Sequence, residues 1–108
     1  MSLWEERAAR NEALFREVNE QVRSLSGEFG AAASEVSFVC ECSDDACAER
    51  LRLALGVYET VRSNPRRFFV VPGHEGGFEH VVERAAGYFV VEKEGDAARV
   101  AEQTDPRS

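Results

Sequence analysis

The sequence predicts an α+β fold: a long N-terminal amphipathic helix followed by a small, mostly antiparallel sheet with short helices. Three observations carry that prediction. Residues 3 to about 26 place Trp4, Ala8, Asn11, Phe15, Val18, Val22 and Leu25 at alternating spacings of four and three, the period of one helix face. After a connector rich in Gly and Ala, short runs of β-branched and aromatic residues recur between turn residues. A chain of 108 residues that is 44% hydrophobic and 31% charged suits one folded domain and is too short for two ordinary ones.

The helix has a predicted start and a predicted stop. Ser2 with Glu5 three residues on forms a capping-box pattern, and the glycines of Ser26-Gly27-Glu28-Phe29-Gly30 end the helix near Ser26. Glu6 with Arg10 and Glu12 with Arg16 stand four apart in the favourable order. About 23 residues at 1.5 Å each give roughly 35 Å, longer than so small a domain needs for its own core. Two uses compete: lying across the sheet, or pairing with the same helix of a second chain as a homodimer, with Asn11 setting register. The organisation is a helix over 1–26, a linker over 27–35, a compact α+β unit over 36–103 and a polar tail over 104–108.

Within the compact unit, Val36 to Cys40 is a strand and Arg67 to Val71 is another, the second apolar enough to be buried on both faces. Glu49 to Leu55 alternates Leu51, Leu53 and Leu55 with Arg50 and Arg52, a strand period written in helix-forming letters. Leu55, Tyr58 and Val61 share a helical face, and Asn64-Pro65 ends that helix. Phe78 to Arg84 and Gly87 to Lys93 make a hairpin around Ala85-Ala86-Gly87, although the first of these segments also fits a helix; Asp96 to Glu102 is a short helix.

Charge and composition exclude several functions. Asp plus Glu outnumber Lys plus Arg by 20 to 13, a net charge of −7, which opposes direct nucleic-acid binding and adsorption to anionic membranes. No apolar run approaches the roughly 20 residues of a membrane span. Met1-Ser2-Leu3-Trp4-Glu5-Glu6-Arg7 is charged from the outset and has no signal-peptide apolar stretch, so a cytoplasmic location is expected. Lys93 is the only lysine, an Arg- and Ala-rich bias that suits a GC-rich bacterial genome.

The chemistry concentrates in three cysteines within eight residues, Cys40, Cys42 and Cys47. An odd count in a chain without a leader argues against a disulfide framework. Thiolates select zinc or iron–sulfur chemistry, and structural zinc takes four ligands. With no fourth cysteine, a histidine completes the set, and only His74 and His80 exist. His74 is the better candidate, because it follows a strand end in the Gly-rich segment Pro72-Gly73-His74-Glu75-Gly76-Gly77. His80 lies inside an alternating segment; Glu75, Asp44 or Asp45 could instead supply oxygen. The competing account is three metal-free thiols, with Cys40 a small buried hydrophobe. A Cys–His nucleophilic pair has no recognisable orienting residue or oxyanion loop beside it. Arg62, Arg66 and Arg67 read as a solvated helix end, and Glu79 with Glu83 as a solvent-facing edge.

Several segments together resemble a family of small bacterial proteins from high-GC Gram-positive organisms, for which no activity is established. They are Phe38-Val39-Cys40-Glu41-Cys42-Ser43-Asp44 with Cys47, Tyr58-Glu59-x-Val61-Arg62, Pro72-Gly73-His74-Glu75, Val81-Val82-Glu83-Arg84 and Tyr88 to Lys93, preceded by Arg10 to Asn19 as the leading helix. The resemblance implies a strand over 49–53 running into a helix from about 55 to 63, and it carries over Cys40, Cys42, Cys47 and His74 as the matching residues. The expected function is a non-enzymatic, zinc-stabilised interaction module with a protein partner. The alternatives are a thiol redox switch on the same cysteines and a small Cys/His thiol enzyme.

Overall fold

The structure, a computed structural model, describes residues 3–28, 35–42, 44, 46–47, 49–77 and 79–107, with α1 side chains described from 6 to 25. The Ser2 cap, the Trp4 side chain, most of the 27–35 linker and Asp45 lie outside these residues. The element order is α1 (Leu3–Glu28), β1 (Glu35–Val39), β2 (Arg50–Ala54), α2 (Leu55–Arg62), β3 (Arg67–Val70), β4 (Glu79–Ala85), β5 (Tyr88–Lys93) and α3 (Gly95–Gln103). The α+β class holds, and the strand that runs into a helix at Leu55 is present.

One sheet was expected, and two form. β1 and β2 make an antiparallel pair with Phe38 opposite Leu51, while the second sheet has the order β3-β5-β4, all antiparallel. β1 and β3 do not pair as strands. They meet just past the end of β1, where the Glu41 N–H donates to the Phe69 carbonyl at 3.1 Å. The β4–β5 hairpin turns on Ala86-Gly87, and Gly87 sits at φ +89°, a left-handed position that glycine adopts without steric cost. A bulge between Val81 and Glu83 leaves Val82 on the surface.

β3 is buried on both faces, as its composition predicts, and it divides the core in two. Phe69 enters a cluster with Phe38, Leu51, Leu53, Leu55, Tyr58, Val61 and Val90. Phe68 and Val70 enter a second cluster with Cys40, Cys42, Val91 and Ala101. In the first, the Phe38 and Tyr58 rings stack 4.4 Å apart and Phe69 meets both edge-on.

α1 lies across this unit with an inward face that matches the predicted stripe only in part: Ala8 is buried and Val22 packs on the core, but a polar row joins them. Ala8, Glu12, Arg16 and Asn19 are buried, while Leu14, Val18 and Leu25 are exposed. Each buried polar group has a distant partner. Arg16 lies over the Phe68 ring at 4.3 Å and donates to the Pro65 carbonyl at 2.7 Å and the Ala101 carbonyl at 2.5 Å. The lone lysine, Lys93, is buried between Glu12 and Glu79. Asn11 donates to the Cys42 carbonyl at 3.3 Å, so it serves the chain's own loop and not a seam between helices.

The basic cluster and the tail also differ from expectation. Arg62 is buried against Asp105 and Glu20, Arg66 pairs with Glu102, and Arg67 pairs with Glu92. Glu79 is almost fully buried on Lys93 and accepts the Gly76 N–H at 3.0 Å, which corrects its reading as a solvent-facing edge. The polar tail folds back: Asp105 is buried, and Arg107 bonds to Glu20 and Glu59. These residues read as surface in the sequence because each finds its counter-charge only through tertiary contact.

Burial pushes the Glu12 carboxyl up from 4.5 to about 7, with Lys93 acting in the opposite direction. A carboxyl raised on folding favours the folded state fully below its unfolded value, and that advantage is lost as pH rises through about 7. Glu12→Gln, which cannot ionise, is therefore expected to lose less stability than the parent between about pH 5 and pH 7.5, measured by urea unfolding. An identical pH dependence in the two proteins would contradict this account of Glu12.

Candidate metal centre

Local chain geometry builds the centre from two short segments. The first leaves β1. Extended backbone alternates its side chains, so Cys40 and Cys42 point to one side and Glu41 to the other. The Cys40 N–H donates to the Glu49 carbonyl at 3.0 Å, holding the two ends of the loop together. Farther along, Asp44 organises a turn: its side chain accepts the Ala46 N–H at 2.9 Å and its carbonyl accepts the Cys47 N–H at 3.1 Å.

The second segment is Val71-Pro72-Gly73-His74. The His74 N–H donates to the Val71 carbonyl at 2.9 Å, closing a four-residue turn, and Gly73 has φ +93°. Proline second and a positive-φ glycine third are the residues that a type II turn demands. This turn reverses the chain directly after β3 and delivers the imidazole to the cysteines.

The result is a four-residue cluster. One ligand atom from each of Cys40, Cys42, Cys47 and His74 lies within 4.8 Å of all the others. His74 Nδ1 stands 3.8 Å from Cys40 Sγ and 3.6 Å from Cys47 Sγ. A tetrahedral ion with sulfur at about 2.3 Å and nitrogen at about 2.0–2.1 Å places its ligand atoms about 3.6–3.8 Å apart. The two His74–sulfur distances match that spacing, and the four side chains together could hold a metal ion. Among the described residues, no disulfide joins the cysteines.

The other sequence candidates stand apart. His80 is half-exposed on β4 and bonds to Glu94 at 2.5 Å. Glu75 is exposed, and the Asp44 carboxylate serves its own turn.

Burial pushes the Cys40 and Cys42 thiols above their ordinary range; Cys42 and Cys47 add to the effect at Cys40, and Cys47 adds to it at Cys42 while Cys40 opposes it. A divalent ion reverses that preference, because coordination takes the thiolate. Val71 helps: its N–H donates to Cys40 Sγ at 3.2 Å, a bond that strengthens when the sulfur carries negative charge.

Residues outside the ligand set hold the first segment in place, and sequence reasoning did not single them out. The Asn19 side chain mimics a neighbouring strand, accepting the Val39 N–H at 2.8 Å and donating to the Val39 carbonyl at 2.9 Å. It also donates to Glu41 Oε2 at 2.9 Å, while Glu41 Oε1 accepts the Phe69 N–H at 3.2 Å. Burial raises the Glu41 carboxyl to about 7, opposed by these bonds and by the charges of Arg62 and Arg16. The available signal was the placement of Asn19 seven residues after Glu12 on a helix, a polar row with no surface purpose.

Asn19→Ala leaves all four ligands in place but strips the Val39 and Glu41 groups of their partner. Supports of this kind typically contribute 10–100-fold in metal affinity. The variant is expected to bind metal roughly 10-fold or more weakly in competition with a chelator. Unchanged affinity would show that the ligand loop holds itself.

No helix among the described residues is long and apolar enough to cross a membrane. No family model, no curated protein and no solved structure matches the chain, so the site is judged on its own geometry.

Proposed function

We propose that this chain is a zinc-stapled, non-enzymatic interaction module in which Cys40, Cys42, Cys47 and His74 hold one zinc ion. The observation that carries the reading is the convergence of three thiols and one imidazole within 4.8 Å of one another, with the His74 distances to the Cys40 and Cys47 sulfurs at tetrahedral spacing. Three soft sulfurs and a borderline nitrogen favour zinc over magnesium or calcium, which take oxygen. Four protein ligands close the coordination sphere and leave no open position for a substrate or an activated water, so the role is structural. The ion would join the loop after β1 to the turn after β3, two segments that otherwise share few backbone bonds.

Elemental mass spectrometry on protein expressed without added metal is the direct test. The parent is expected to carry about one zinc per chain, and His74→Ala to lose or weaken it. A parent with no zinc, or with iron and inorganic sulfide in its place, would overturn the reading. Zinc at 1,000 times its dissociation constant contributes about 4 kcal/mol, so chelation should lower Tm by on the order of 15 °C.

Self-association through α1 belongs to this proposal on one surface only, because Ala8 and Asn11 of the expected seam are engaged within the chain. The outer row of Leu14, Val18 and Leu25 remains, at the four-and-seven spacing of a heptad seam that a second copy of the helix could cover. Sedimentation is expected to give a dimer for the intact chain and a monomer for Leu14→Glu/Leu25→Glu. A monomeric parent removes the dimer and leaves the zinc reading as it stands.

A further inference from the structure

The three thiols of the centre are held very differently. Cys40 and Cys42 are buried, at 1% and 2% exposure, and Cys47 is half-buried at the surface. The segment 40–42 is tied to the rest of the fold along its length. Cys40 bonds to Glu49, Glu41 to Phe69, and the Cys42 carbonyl to Asn11 of α1. The Cys40 sulfur is further engaged by the Val71 N–H. Cys47 lies outside every strand and helix; among the described residues its N–H donates to the Asp44 carbonyl, three residues back, and its sulfur stands 3.6 Å from His74 Nδ1. The Cys42 sulfur lies within 4.8 Å of the Cys47 sulfur.

We propose that Cys47 is an oxidation site through which a hydroperoxide opens the metal centre, forming a Cys42–Cys47 disulfide and releasing the ion. This rests on the zinc reading above. The Cys47 thiolate attacks one peroxide oxygen; the O–O bond breaks, giving a Cys47 sulfenic acid and hydroxide. The Cys42 thiolate then attacks the sulfenic sulfur; the S–S bond forms, the S–O bond breaks, and a second hydroxide leaves. Both hydroxides take protons from solvent and become water. The two sulfurs together lose two electrons and the peroxide gains two. Cys40 and His74 remain as two ligands, too few to retain zinc, and Cys40 takes up a proton as the ion departs.

The exposure of the attacking group and the burial of its partner select this pair. Cys47 is the most accessible of the three sulfurs, whereas Cys42 is buried, is positioned by α1 through Asn11 and lies within 4.8 Å of the Cys47 sulfur. The structural consequence follows from where the bonds lie. Zinc joins two segments separated by 27 residues, Cys47 to His74, while the disulfide closes a loop within one of them. Oxidation therefore exchanges a staple between the two sheets for a link that spans neither.

The test uses the zinc-loaded chain and hydrogen peroxide in stoichiometric steps. Released zinc is read with a chromogenic chelator, and the cysteines are mapped by alkylation and peptide mass spectrometry. The expected result is one zinc released per peroxide consumed, a Cys42–Cys47 disulfide and a single alkylatable thiol at Cys40. Phosphine reduction with added zinc should restore the starting state. The proposal is overturned if zinc stays bound under peroxide that oxidises glutathione in the same tube. A disulfide mapped to Cys40, or oxidation that phosphine cannot reverse, overturns it as well. A chain that holds no zinc before peroxide is added refutes the zinc reading itself, whereas zinc retained under peroxide refutes only the switch.

Discussion

Glu41 is fully buried where α1, the end of β1 and β3 meet, and its bonds reach from its own place just past β1 to both α1 and β3. A buried carboxyl is costly unless its oxygens are satisfied. Here one oxygen takes the Asn19 amide and the other the Phe69 N–H, while the Glu41 backbone donates to the Phe69 carbonyl. That double contact joins two sheets which do not otherwise pair. It also sets the direction in which the neighbouring Cys40 and Cys42 side chains leave the backbone. The metal-centre geometry is thus a consequence of a polar contact on the opposite side of the same strand extension.

The same logic extends along α1. Glu12, Arg16 and Asn19 face inward and are met by Lys93, by the Phe68 ring with two carbonyls, and by Val39 with Glu41. Buried ionic groups of this kind add little net stability compared with apolar packing, but they penalise any other docking of the helix, because a shift strands a charge away from water. The arrangement is not fully satisfied: Arg16 Nε and two nitrogens of Arg62 have no hydrogen-bond partner among the described residues. Specificity of placement is obtained at some cost in stability. This is consistent with a domain in which a metal ion supplies further cohesion.

Legibility followed the range of each interaction. The turn at Pro72-Gly73-His74 was readable, because proline and a positive-φ glycine act within four residues. That Cys40, Cys42, Cys47 and His74 come together was readable because their chemistry lies in residue type, and of the two histidines only His74 has a Gly-flanked approach. The double burial of β3 was readable from an unbroken apolar run. The inward face of α1 was not. Periodicity assigns apolar residues to the interior, yet Val18 and Leu25 of the expected stripe are exposed and the polar row lies inside. The division into two sheets was equally hidden, since strand letters state that a strand forms and not which neighbour it takes.

By itself, then, the sequence determined the α+β class, the order and approximate limits of the elements, and the four residues able to ligate a metal. These depend on local backbone preference and on side-chain chemistry, which neighbouring residues specify. Only the tertiary structure decided which face of α1 is buried, that Lys93, Arg62, Glu79 and Asp105 are interior charges, and that Asn19 and Glu41 brace the ligand loop. A buried charge is tolerable only beside its counter-charge, and for Lys93 and Glu12 that partner lies 81 residues away, beyond the reach of any local pattern.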